Sequence, residues 1–159
     1  MQYIGKIEKV ICGAETLSLD GKYFKADSSD ALLEGGNCQS YEKFYSGKYS
    51  ACLTPEKAFA MTYRFKNVKP GEHYTITVFR WSEKGNGLLV ASANNSKEFY
   101  LKKTSTIEKL PNGWEKLTLD FYLNFKPADG ELAVYLWNES KTPVYFDNLT
   151  IIRKHGFNN

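Results

Sequence analysis

Cysteine and histidine are scarce in this 159-residue chain, with three of the first and two of the second, and that removes most metal and nucleophile chemistry. Cys12, Cys38 and Cys52 contain no Cys-x-x-Cys pair, so a zinc site of ordinary spacing is not expected. One disulfide, Cys38 to Cys52, in an oxidising compartment and three free buried thiols are both compatible with that spacing. His73 and His155 lie far apart in the chain, and no Gly-x-Ser-x-Gly elbow occurs. Carboxylates are plentiful, but Glu83, Glu98, Glu108 and Asp120 read as solvent-face charges, and no pair is framed like the two acids of a glycosidase. Gly85-Asn86-Gly87 is too short and isolated for a phosphate loop. An enzyme is therefore not expected.

Long apolar runs and charge of one sign are lacking too. Nothing approaches the roughly 20 residues of a membrane helix, and Met1-Gln2-Tyr3-Ile4-Gly5, followed by Lys6, Glu8 and Lys9, does not resemble a signal peptide. The 21 basic and 18 acidic residues leave a net charge of +3, with the lysines scattered. Scattered lysines describe a solvated surface, so neither nucleic acid nor membrane insertion is expected.

What the chain has is aromatic residues, at 15% with 11 Tyr and 10 Phe, and recurrent turn signals between alternating runs. Met61–Phe65, Tyr74–Trp81, Leu88–Ala91, Lys97–Leu101, Trp114–Leu123, Glu131–Asn138 and Val144–Ile151 read as strands. Pro70-Gly71, Pro111-Asn112-Gly113 and Asp129-Gly130 punctuate them. Only Asp30–Glu34 and Thr54–Ala58 suggest short helical turns. The expectation is one all-β domain over residues 1–159, an antiparallel sandwich of two facing sheets. Within the last strand Asp147 stands in an apolar run, and a carboxylate there must be solvated, paired or bound to a cation.

Several segments taken in order carry a resemblance. They are Gly13-Ala14-Glu15, Gln39-Ser40-Tyr41-Glu42 with Ser46-Gly47-Lys48-Tyr49-Ser50, Val68-Lys69-Pro70-Gly71-Glu72, Gly113-Trp114-Glu115-Lys116-Leu117 and Tyr145-Phe146-Asp147-Asn148-Leu149. From about Ala14 to Arg153 the chain resembles the galactose-binding-like jelly rolls, particularly the carbohydrate-binding modules appended to bacterial glycoside hydrolases. The resemblance implies a structural calcium ion held by Glu15, by backbone carbonyls near Ser46 and Lys48, and by Asp147. Calcium takes six to eight oxygens at about 2.3–2.6 Å, which such a set supplies in part. Asn148 departs from the pattern, since many relatives have a second acid there. The bland alternative is that Glu15 and Asp147 are ordinary capped or surface carboxylates.

Sugars present apolar C–H faces beside a rim of hydroxyls, so an aromatic platform next to planar polar groups recognises them. Alternation puts Phe79 and Trp81 on one face of their strand and Arg80 on the other. Tyr135 and Trp137 share a face, and Asn138 ends that strand. An aromatic floor of Tyr135, Trp137, Phe79 and Trp81 on a concave sheet, with hydrogen bonds from Arg80 or Asn138, is the expected ligand site. Tyr63 or Arg64 extends it, depending on which way that strand faces. Packing under covering loops is the competing account of the same aromatics, and Trp114 is expected to pack at the sandwich edge.

The expected function is that of a non-catalytic module, secreted or at the cell surface, holding a polysaccharide or glycan near an attached glycoside hydrolase or another surface protein. The alternative is a structural or protein-interaction sandwich without sugar binding.

Overall fold

The computed structural model describes residues 5–106 and 108–155; the chain start and the tail after His155 lie outside them. Twelve strands occupy these residues: β1 Lys6–Cys12, β2 Tyr23–Lys25, β3 Leu32–Glu34, β4 Gln39–Ser40, β5 Ser50–Leu53 and β6 Phe59–Phe65, then β7 His73–Ser82, β8 Leu88–Ser92, β9 Tyr100–Lys103, β10 Glu115–Tyr122, β11 Leu132–Trp137 and β12 Val144–His155. They form two antiparallel six-stranded sheets. The first runs β10-β7-β12-β5-β4, with β1 also on β12; the second runs β2-β3-β6-β11-β8-β9. The expected all-β, two-sheet jelly roll is what the chain adopts.

Alternation builds the core. Along β7, Tyr74, Ile76, Val78 and Arg80 are buried, while the residues between them are half-buried on the outer face. On β11 it is Leu132, Val134 and Leu136 that meet them across the sandwich. The expected helical turn at Asp30–Glu34 is instead strand β3, where Leu33 is buried and Leu32 is exposed. Thr54 and Lys57 exchange two backbone hydrogen bonds of 3.1 Å, so that segment is a tight turn, not a helix. Among the described residues the only helical element is a 3₁₀ turn at Gly36–Cys38.

β12 is the hub of the first sheet. One of its edges pairs with β7 along most of its length, at 144–147 and again at 150–154. Its other edge changes partner: residues 144–146 pair with β5 and residues 149–155 pair with β1. The change falls at Asp147-Asn148, where the register shifts and Asn148 takes a left-handed φ of 52°. Asn tolerates that conformation better than most residues. The shift reverses the strand's parity, so that Val144 and Phe146 point inward before it and Leu149 and Ile151 point inward after it.

The three cysteines are unbridged thiols. Burial pushes Cys12 up to about 12 and Cys38 up to about 11, so both stay protonated and serve as small apolar packing groups.

Arg80 is 1% exposed and sits on the core face. Its guanidinium donates to Glu115 Oε1 from Nη2 at 2.7 Å and to the carbonyls of Gly87 (2.8 Å) and Thr104 (2.7 Å) from Nη1. Removing one partner of a buried pair leaves the other charge unmatched, at a cost of about 3–5 kcal/mol. Glu115→Ala is therefore expected to lower the stability measured by denaturant unfolding by about that much, and Glu115→Gln by less. A loss below about 1 kcal/mol, as for a surface pair, would contradict the assignment.

Candidate functional site

Two places concentrate chemistry: the junction of β1, β5 and β12, and the outer face of the second sheet.

At the junction the first and last strands meet, as the pairing of β1 with β12 requires. The loop 45–49 leads into β5 and passes between two carboxylates. Asp147 is fully buried, and its Oδ2 accepts the backbone N–H of Tyr45 (2.9 Å) and Ser46 (3.2 Å). Its Oδ1 accepts the N–H of Asn148 at 2.8 Å. Glu15 accepts the N–H groups of Lys48 and Tyr49, one on each oxygen, both at 2.9 Å. Gly47, at φ 69°, lies against this carboxylate so closely that a Cβ would stand 2.5 Å from it. Only glycine meets both the left-handed angle and that approach. Asn148 and Ser46 bond side chain to side chain, closing the loop.

The loop that was expected to offer carbonyls near Ser46 and Lys48 to a metal also gives its N–H groups to the two carboxylates. The groups turned toward Glu15 and Asp147 are amide N–H donors, because a loop with a left-handed glycine presents successive N–H groups to an anion. Asp27 joins the cluster: it accepts the Gly13 N–H at 3.1 Å, and a Cβ on Gly13 would face Asp27 Oδ2 and the Asn148 side-chain oxygen. Its sequence context, Ala26-Asp27-Ser28-Ser29-Asp30, looks like any surface turn and gave no signal.

Among the described residues Glu15, Asp27 and Asp147 make no ion pair with a basic side chain. A donor set of oxygens without a cation suits a hard cation in its chemistry. Of about four lone-pair positions on each carboxylate, hydrogen bonds leave two on Glu15 and one on Asp147. No group of three His, Cys, Asp or Glu side chains gathers as a metal centre among the described residues. The balance of a calcium shell would thus fall to main-chain carbonyls, the Asn148 amide oxygen and water.

Burial pushes Asp147 up to about 6, and the nearby Glu15 charge adds to the rise against three lowering backbone hydrogen bonds. A carboxyl raised in the folded state binds more protons folded than unfolded between pH of about 4 and about 6. Stability from this group is therefore present below pH 4 and lost as pH rises through 6. In chelator, the melting temperature of the wild type relative to Asp147→Asn is expected to fall over that window. A difference that stays flat or rises from pH 4 to 7 contradicts the shift.

The second concentration corrects the expected four-ring floor. Phe79 and Trp81 lie on the outer face of the first sheet, whereas Tyr135 and Trp137 lie on the outer face of the second, with the whole sandwich between. The first pair is covered. Tyr45 stacks on Phe79 at 3.9 Å and 7°, Lys43 Nζ sits 4.1 Å from the Trp81 ring centroid, and Trp114 is buried edge-on to Tyr45. Trp114 packs as expected.

Tyr135 and Trp137 do share a face, and Phe59 joins them. The Phe59 ring stacks with Trp137 (5.7 Å, 10°) and meets Tyr135 edge-on at 5.8 Å. Phe59 itself is 52% exposed. Beside the rings Arg64 donates from Nε to Glu34 Oε2 (3.2 Å) and from Nη1 to Asn94 Oδ1 (3.1 Å), and Asn94 donates in turn to Asp129 and Glu131. The result is an exposed apolar surface next to a row of planar hydrogen-bonding groups. Arg64 extends it, whereas Tyr63 packs against the core and edge-on to Phe65.

Arg80 and Asn138 do not reach either surface. Arg80 is held in the core by Glu115, and Asn138 is 2% exposed, its amide donating to the carbonyls of Leu53 (2.9 Å) and Thr142 (2.8 Å). Asn138 closes the turn between β11 and β12, a structural task that its polar amide performs better than a ligand contact would.

No protein-family model matches the chain, and no curated protein matches it. Solved structures do. The C-terminal family 22 carbohydrate-binding module of Clostridium thermocellum Xyn10B is similar over 89% of this chain and 90% of its own length, with TM-score 0.56 and 15% identity. The xylan-binding domain CBM22-1 of Paenibacillus barcinonensis Xyn10C matches over 95% of this chain and 96% of its own, at TM-score 0.55 and 13% identity. The CBM22-1–GH10 modules of the C. thermocellum xylanase 10B, complexed with xylohexaose, match all of this chain over 30% of theirs, at TM-score 0.55 and 15% identity. At such identities the likeness establishes the fold, a galactose-binding-like jelly roll.

Proposed function

We propose that this galactose-binding-like jelly roll is a non-catalytic glycan-binding module whose ligand lies on the outer face of the second sheet. The observation that carries the reading is the exposed Phe59–Trp137 stack with Tyr135 at its edge, set beside Arg64, Glu34 and Asn94. Flat rings take the C–H faces of pyranose units, and the planar polar groups take the hydroxyls. Such an open face makes few contacts per sugar, so recognition of a chain of several units suits it better than recognition of one. The xylan-binding and carbohydrate-binding neighbours share the fold and support the same class of ligand. An attached or partner hydrolase, and secretion or surface display, follow from that reading as further proposals. No helix among the described residues is long and apolar enough to cross a membrane.

Retention on a panel of insoluble and soluble polysaccharides, by affinity electrophoresis and calorimetry, tests it. Trp137→Ala is expected to weaken binding by about tenfold, the worth of roughly 1.5 kcal/mol in lost stacking, with the melting temperature nearly unchanged. No retention by the wild type on any glycan, or equal retention by Trp137→Ala, would return the chain to the class of structural or protein-docking sandwiches.

The same proposal assigns a structural calcium ion to the junction, with Glu15 and Asp147 as its carboxylates and the Asn148 side-chain oxygen beside them. Bound there, the ion would supply charge to oxygens that have no basic partner among the described residues. The melting temperature is expected to rise with millimolar calcium over chelator in the wild type and to be indifferent to calcium in Asp147→Asn. Indifference in the wild type removes the ion and leaves the amide-bonded carboxylates as a complete structural device.

A further inference from the structure

Away from both places, a cavity of about 700 Å³ opens where the loop between β6 and β7 meets the start of β1 and the end of β12. Lys6, Lys66, Lys69 and Arg153 line it together with Glu8, Glu72 and His155. The acidic residues are already committed. Arg153, 5% exposed, donates to Glu72 Oε2 (2.9 Å) and to Glu8 Oε2 (3.0 Å), and Tyr74 donates its hydroxyl to Glu72 Oε1 at 2.7 Å. Among the described residues the three lysines make no ion pair. His155 Nε2 lies 3.2 Å from Glu8 Oε2 but off the direction of a hydrogen bond, and is buried without a hydrogen-bond partner among the described residues.

The walls are also fixed before any ligand arrives. Val68 is buried and donates its N–H to Gly130 O at 3.0 Å, and Gly71 donates to Leu123 O at 2.7 Å. Left-handed angles at Asn67 (54°) and Gly71 (94°) shape the loop between these anchors. Its volume falls in the range of small-ligand sites, about 300–1,000 Å³. Among the described residues that line it there is no Phe, Tyr or Trp, and charged side chains predominate. Unpaired lysines on a preformed rim favour an anion.

We propose that this cavity is a second binding site for a small anion, and, resting on the glycan-binding reading for the ligand's class, for a carboxylate-bearing saccharide such as a uronic acid, with Lys66 and Lys69 taking the carboxylate and His155 a ring hydroxyl. It stands apart from the aromatic face in position and in chemistry, so either site can fail without the other.

Amide chemical-shift titration of the protein with galacturonate, glucose and inorganic phosphate tests the proposal. Galacturonate is expected to produce saturable shifts centred on residues 66–72. The Lys66→Ala/Lys69→Ala variant, altered only at exposed positions, is expected to bind about tenfold or more weakly with an unchanged melting temperature, while Trp137→Ala keeps the response. Three results overturn it: no saturable shift at 66–72, an equal response to glucose, or an equal response to phosphate, which would mean an adventitious ion only. Persistence of the galacturonate response in the double lysine variant overturns it as well.

Discussion

The architecture depends on one buried carboxylate. Asp147 stands where β12 exchanges β5 for β1, a point at which the sheet has a gap in its ladder and backbone groups without strand partners. Its two oxygens close that gap by accepting three N–H groups, two of them from a loop about a hundred residues earlier in the chain. Desolvating the charge costs several kcal/mol, and charge-assisted bonds return about 1.5–3 kcal/mol each. The bonds offset most of the desolvation but not all of it, which is why the group keeps its place and yet titrates high, at about 6. What the carboxylate secures is geometry: the first and last strands side by side, and the loop 45–49 held at one position.

That position decides which face of the sandwich is free. Once Tyr45 is fixed by Asp147, its ring lies flat on Phe79, and Lys43 reaches over Trp81. The outer face of the first sheet thereby loses its richest aromatic strip to intramolecular packing. On the second sheet the Phe59–Trp137 stack keeps a solvent-facing side. One loop therefore assigns structural work to one aromatic pair and leaves the other for recognition, although the two pairs look equivalent in sequence.

Much of the fold was legible because it rests on alternation and turn chemistry, which are local. The strands from β6 onward and the inward faces of β7 and β11 follow from that reading, whereas the meeting of Glu15 and Asp147 near one loop was implied only by the resemblance to the jelly-roll family. Its failures share one physical cause, that period-two reasoning assigns a face within a strand but not which sheet the strand joins, nor where a bulge reverses the parity. Phe59 and Arg64 are an odd number of residues apart, yet both point outward. An irregularity in the pairing with β11, next to Met61 at φ 51°, makes this possible. Phe79 and Tyr135 belong to different sheets, which no local pattern reveals. Arg80 was correctly placed opposite Phe79. That the inner face at this point accepts a guanidinium depends on Glu115 and two distant carbonyls, partners the strand itself does not disclose.

Arg80 and Arg153 occupy the same inner face of the first sheet at its two ends, one near the close of β7 and the other near the close of β12. Both carry buried charge into the rim of the core, and both are matched by carboxylates, but their surroundings differ. At the Arg80 end, Gly87 approaches so closely that a Cβ would lie 2.7 Å from Val144 Cγ1 and 3.2 Å from Arg80 Cδ, and the Gly87 and Thr104 carbonyls complete the guanidinium's bonds. That end is sealed. At the Arg153 end, Glu8 of β1 and Glu72, just before β7, absorb the guanidinium, and Lys66 and Lys69 of the loop after β6 line the cavity beside it. The two arginines thus differ in their partners: one carboxylate and two main-chain carbonyls enclose the first, whereas two carboxylates hold the second in the wall of the cavity that Lys66 and Lys69 line.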